Sequence, residues 1–227
     1  MAEMSSADSS LQAGLSREQE EAAFYHEAAL NTSWTGVRLL IGVLTSGLGA
    51  FVFAFFYLRS LNSHGLWYPS GALATKPSVG VGTTIMVLIV VSALVQSAGL
   101  QQLKAGKRGV WLMAATVTLA LGVVAAAVQI WQLTSLSFQP GGSGFASVFV
   151  GASPVLAVLV LGVMIWLEIL VMRARQIPEI SFVEQPPTFT EAAHVQRFQA
   201  SLSAFTLLWN FMAVAAVVLW VLFYLVH

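Results

Sequence analysis

FASVFVGASPVLAVLVLGVMIWLEILVMRAR, Phe145 to Arg175, decides the fold class. From Phe145 to Leu167 no side chain is charged, Glu168 is the one acid inside the apolar run, and the stretch closes on Arg173 and Arg175. A helix needs about 20 apolar residues to cross the ~30 Å hydrocarbon core of a bilayer, so the stretch is long enough to span. Pro154 falls early in it, where a missing N–H shapes the helix entry more readily than it makes a gating hinge.

Working outward, four more stretches have the same character: Val37–Leu58, Gly80–Leu103, Gly109–Leu133 and Leu202–Val226, with Phe145–Met172 fourth in order. Of the 227 residues 57% are hydrophobic and 9% charged, against about 25% charged in a soluble domain. The expected fold is all-α, a polytopic bundle of five transmembrane helices. Residues 1–34, polar, acidic and Ser-rich, form a cytoplasmic tail that becomes partly helical from Ser16; they lack the basic start and apolar middle of a signal peptide. Residues 35–227 form the bundle, with a cytoplasmic loop at about 174–200.

Basic residues favour the cytoplasmic side. With the N-terminus inside, Arg17, Arg38, Lys104, Lys107, Arg108, Arg173, Arg175 and Arg197 all lie inside, leaving Arg59 and Lys76 outside. Five spans then put His227 outside. QLKAGKRG is the matching inner turn, and the uncharged TSLSFQPGGSG an outer loop.

In lipid, helices approach through small side chains. Gly42, Ser46 and Gly49 supply such a face on the first span, and Ala115, Thr118, Gly122 and Ala125 one on the third, leading to Gln129. Ser92 and Gln96 share a face of the second. An unpaired amide at bilayer depth costs several kcal/mol, so Gln96 and Gln129 are expected to bond across helices.

The composition narrows the chemistry. With no cysteine, disulfides, thiolate metal sites, iron–sulfur clusters and Cys nucleophiles are all excluded. His26, His64, His194 and His227 fall in tails or loops, so Met86, Met113, Met164 and Met212 are read as apolar filling rather than haem or copper ligands. No P-loop, HExxH, GxSxG or EF-hand pattern occurs. A formal net charge of zero with scattered Lys and Arg offers no surface for nucleic acid. No catalytic residue, cofactor or metal is expected in this chain.

The last four spans resemble subunit III of the haem–copper terminal oxidases (the cytochrome c oxidase subunit III family) in its short five-helix bacterial form. VVSALVQSAGLQQLKAGKRGVWLMAATVTLALGVVAAAVQIWQL resembles that family's second helix, basic turn and third helix. FASVFVGASPVLAVLVLGVMIWLEILVMRAR resembles its Ser-Val-Phe-Phe helix, and SLSAFTLLWNFMAVAAVVLWVLFYLV its closing Trp-His-Phe helix. The titratable family positions are neutral here. Ser46-Gly47 stands near the place of a Ser-Glu pair, Gln96 at that of a His, Leu156 and Leu159 at those of His-x-x-His, and Trp209-Asn210-Phe211-Met212-Ala213 at that of Trp-His-Phe-x-Asp.

The resemblance implies a non-catalytic subunit of a bacterial inner-membrane oxidase that reduces oxygen with electrons from cytochrome c or quinol and translocates protons. Such a subunit supports stability, lipid binding and proton entry. It implies no cofactor in this chain, haem and copper in partner subunits I and II, contact with membrane phospholipids, and membership of a larger respiratory supercomplex as a further partner. A related subunit associated with nitric oxide reductase, and a membrane assembly or scaffold protein, remain as alternatives. Lipid contacts are expected at Trp34, Arg38, Arg173, Arg197 and Trp209. Glu168 is a candidate proton or ion-pair site, shielded by Arg175 or Arg38, or facing a neighbouring subunit.

Overall fold

The computed structural model describes residues 2–61, 67–68, 76–136, 142–177 and 189–226. Regular structure among them is entirely helical: α1 Ala2–Ser60, α2 Val79–Lys104, α3 Arg108–Thr134, α4 Gly144–Gln176 and α5 Phe189–Trp220, the last extended by a π-helical turn at Val221–Leu225. Five segments within these are long and apolar enough to cross a membrane: Asn31–Ser60, Val79–Lys104, Arg108–Thr134, Gly144–Gln176 and His194–Leu225.

Local chemistry sets several helix ends. Ser78 caps α2 by accepting from the Val81 amide, and Ser143 caps α4 by accepting from the Ala146 amide at 3.1 Å. Between α2 and α3 the chain reverses at Gly106, whose φ of 77° lies in the left-handed region that a residue without Cβ adopts freely. The N-terminal segment differs from expectation, because α1 is continuous from Ala2 instead of becoming helical at Ser16. A helix anchored by a span needs no fresh nucleus, so each residue added upstream gains a hydrogen bond without that cost. Helix also enters the expected 174–200 loop from both ends, since α4 runs to Gln176 and α5 starts at Phe189; residues 178–188 lie outside the described part. Pro154 sits well inside α4 rather than at its entry.

Adjacent spans run in opposite directions, which gathers most of the basic residues at one end, while Arg59 and Lys76 lie at the other. There Arg108 Nη1 donates to the Ile177 carbonyl at 2.8 Å, Trp111 meets Phe198 edge to face, and Ser33 and Ser201 share a hydroxyl hydrogen bond. The opposite end is closed by an aromatic cluster in which Phe55, Trp67, Phe145, Phe149 and Phe223 make edge-to-face and stacked contacts. Such pairs add about 0.5–1.5 kcal/mol each beyond the area that they bury.

α5 is the central helix and packs on α1, α2 and α4, while α3 bridges α2 and α4. Over half of the most apolar window of α5 is buried (56%), against 6% for α1, so α1 is peripheral. The small-residue faces therefore behave differently. On α3, Ala115, Thr118, Gly122, Ala125 and Gln129 are all buried, and a Cβ on Gly122 would strike the Met164 side chain of α4. On α1, a Cβ on Gly42, Gly47 or Gly49 would meet nothing within 4 Å, and Ser46 bonds its own helix at the Gly42 carbonyl. The expected packing face of the first span points away from the bundle. Glycine spacing reports where a helix could be approached; it does not say by which neighbour.

Candidate functional site

The interior polar side chains are mostly taken up in cross-helix bonds. Trp209 Nε1 donates to Ser92 Oγ at 3.1 Å, and Thr118 Oγ1 donates to the Ser92 carbonyl at 3.2 Å, so one serine ties α2 to both α5 and α3. Gln129 Nε2 donates to the Ser153 carbonyl at 2.8 Å, joining α3 to α4, and Gln132 bonds the Tyr224 hydroxyl at 3.0 Å, joining α3 to the π turn. At the surface of α2, Ser97 donates to Asn210 Oδ1. Gln129 thus plays the expected interhelical part. Gln96 does not: it is fully buried, yet neither atom of its carboxamide has a hydrogen-bond partner.

The basic end holds the feature best suited to a ligand. α4 delivers Arg173 and Gln176, α5 delivers His194, Arg197 and Ser201, and the five surround a cavity of about 370 Å³ backed by Leu170 and Phe198. None of its lining residues is acidic. Two guanidiniums, an imidazole, an amide and a hydroxyl offer many donors to an anion, and each guanidinium can grip a planar or tetrahedral oxyanion in bidentate fashion. Arg173 and Arg197 meet because α4 and α5 are antiparallel here, the end of one lying beside the start of the other. His194 belongs to this wall and is helical, contrary to its expected place in a loop; His26 is likewise helical, in the extension of α1. The signal available in the sequence was HVQR, which spaces His194 and Arg197 by three residues and so onto one helix face.

The other candidate lipid residues divide. Arg38 lies with its guanidinium carbon 5.5 Å from the centroid of the Trp34 ring, within cation–π range, one turn along α1 from the Ser33–Ser201 bond. These two are near each other and do not line the Arg173–Arg197 cavity, although Ser201 of its wall bonds Ser33, the residue beside Trp34. Trp209 is a correction: at 0% exposure, with its indole committed to Ser92, it is a core residue and faces no lipid. A second cavity, apolar and about 210 Å³, lies between α1, α4 and α5, with Leu44, Leu48, Phe51, Leu156, Leu159 and Phe211 among its walls.

Glu168 is exposed on α4, and among the described residues its carboxylate has no hydrogen-bond or ion-pair partner. Neither Arg175 nor Arg38 forms an ion pair with it. Among the described residues no three of His, Cys, Asp and Glu come together as a metal-binding group.

The fold and site define a class, an all-helical chain with five helices long and apolar enough to cross a membrane. Comparison with protein-family models and with curated proteins gives no match that would narrow it.

Proposed function

We propose that the chain is the subunit III component of a bacterial haem–copper oxidase, acting on the catalytic subunits through packing, held lipid and the shape of the surface where protons enter. The observation that carries this reading is how the interior polar groups are used. Ser92, Thr118, Gln129 and Trp209 join helices to one another, which supports a role exercised through packing. The order of the spans and the basic turn before α3 support it through the resemblance described above.

The second part of the proposal concerns the cavity at the basic end. Arg173, Arg197 and His194 there receive the headgroup of an anionic phospholipid of the inner leaflet, while Trp34 and Arg38 anchor α1 at the same interface. In this orientation the N-terminus and the α2–α3 turn are cytoplasmic, and the chain sits in the inner membrane with oxidase subunits I and II as partners.

Purification from its own membrane in mild detergent tests the assignment. Copurifying oxidase haems and copper, seen in a reduced-minus-oxidised spectrum and by metal analysis, are expected. Nitric oxide reductase subunits in their place would favour the related assignment, and recovery of neither a free-standing scaffold.

A further inference from the structure

Gln129 is buried at 5% exposure, and only half of its carboxamide is used. Nε2 donates to the Ser153 carbonyl at 2.8 Å, whereas Oε1 is buried and has no partner among the described residues. The amide cannot be turned round, because Oε1 in the place of Nε2 would set one acceptor against another. The bond that holds one end of the amide therefore fixes the other as a free acceptor.

A cavity of about 40 Å³ lies beside it between α2, α3, α4 and α5, at the end of the bundle away from the basic cluster. Gln129, Gln132, Ser153 and Tyr224 supply its polar wall. Two local features bring Tyr224 there. It belongs to the π-helical turn at Val221–Leu225, whose wider winding rotates side chains out of the α-helical register. Gly82 on α2 leaves the space that the ring fills, since a Cβ there would collide with the phenol. The Tyr224 hydroxyl accepts from Gln132 Nε2 at 3.0 Å, and its own hydrogen finds only Oε1 of the same amide at 3.4 Å. That is long for an O–H donor, whose usual range ends at about 3.0 Å. One unused acceptor and one poorly used donor thus share a small cavity.

Size and charge define what fits. A water needs about 10–15 Å³ of such space and roughly two to four polar partners, and the cavity offers both. No residue of its wall is charged, so an ion would have nothing to neutralise it.

We infer that the cavity is a water site, in which an ordered water donates to Gln129 Oε1 and accepts from the Tyr224 hydroxyl. The water joins α3 to the π turn of α5 and satisfies both groups, and a bond made through water is nearly as favourable in enthalpy as a direct one. It is a structural part of the bundle, whichever complex the chain serves.

Brief X-ray irradiation of the purified full chain in detergent converts water to hydroxyl radicals where it stands, and peptide mass spectrometry reads where oxygen is added. Tyr224, at 8% exposure, is expected to be oxidised faster than Trp209, which is at 0% exposure and bonded to Ser92, although an indole is the more reactive ring. Gln129→Met keeps the length of the side chain and removes the acceptor. It should lower the Tyr224 rate about fivefold, as loss of one hydrogen bond to the water does, and leave the exposed Tyr25 unchanged. A Tyr224 rate no greater than that of Trp209, as a dry or lipid-filled cavity would give, would overturn the inference, and so would equal Tyr224 rates in parent and variant. If Trp209 oxidation rises in the variant, the substitution has opened the bundle and the comparison within the parent chain decides.

Discussion

Trp209 on α5 donates its indole N–H to Ser92 Oγ on α2 at 3.1 Å, with both residues at 0% exposure, so the two helices are joined by a polar bond inside the bundle. Trp209→Phe removes the donor and keeps most of the ring. Interhelical hydrogen bonds in membranes are worth about 0.6 kcal/mol on average and up to about 1.7, and the loss should fall in that range. Reversible unfolding in mixed detergent micelles measures it; stability equal to that of the parent chain would show that the bond contributes nothing.

Two glycines give opposite expectations. A Cβ on Gly99 would stand 2.6 Å from Ala114 Cβ, so Gly99→Ala must push α2 away from α3 and should cost about 1–3 kcal/mol, as overpacking does. Gly42→Ala meets open space and replaces a poor helix former, so stability should hold or rise by up to about 1 kcal/mol. Thermal unfolding of the pair in one detergent checks both. Equal losses would contradict the peripheral placement of α1.

The orientation of the chain is open to labelling because it contains no cysteine. Ala105 is exposed in the α2–α3 turn and Gly142 is exposed just before α4, whereas Ser143 is buried as a helix cap. In intact cells an impermeant thiol reagent should modify Gly142→Cys and leave Ala105→Cys untouched until the membrane is opened. The reverse pattern would invert the topology.

How much of this could be read from the sequence differs by feature. Spans of apolar residues fix helix number and approximate ends, because bilayer thickness is an external ruler; each of the five spans overlaps a helix of the structure. The buried face of α3 was legible too, since small residues at helical spacing led to an amide that needed a partner. The same pattern misled on α1, where Gly42, Ser46 and Gly49 face outward. Trp209 was misread because interfacial and core tryptophans look alike until the rotation of α5 is known. Arg173 and Arg197 are 24 residues apart, and their meeting with His194 depends on the register between α4 and α5, which no local spacing encodes.

Arg173 and Arg197 should matter for retained lipid more than for folding, because both line an open cavity rather than the packed core. A basic residue near an anionic leaflet contributes about 1 kcal/mol, so each single Gln substitution should weaken anionic phospholipid retention about fivefold. Quantitative lipid mass spectrometry of the purified chain reads this directly. Neutral lipid should be unaffected, and equal loss of both kinds would indicate general disruption.

If the chain supports a redox complex without taking part in its electron transfer, its removal should separate two properties that loss of a catalytic subunit removes together. Deleting it and purifying the remaining complex permits the haem difference spectrum and oxygen consumption during sustained turnover to be recorded on one sample. The spectrum should match that of the intact complex, while activity decays sooner and returns when the chain is restored. A changed haem spectrum, or a complex that turns over for as long without the chain as with it, would contradict the proposed role.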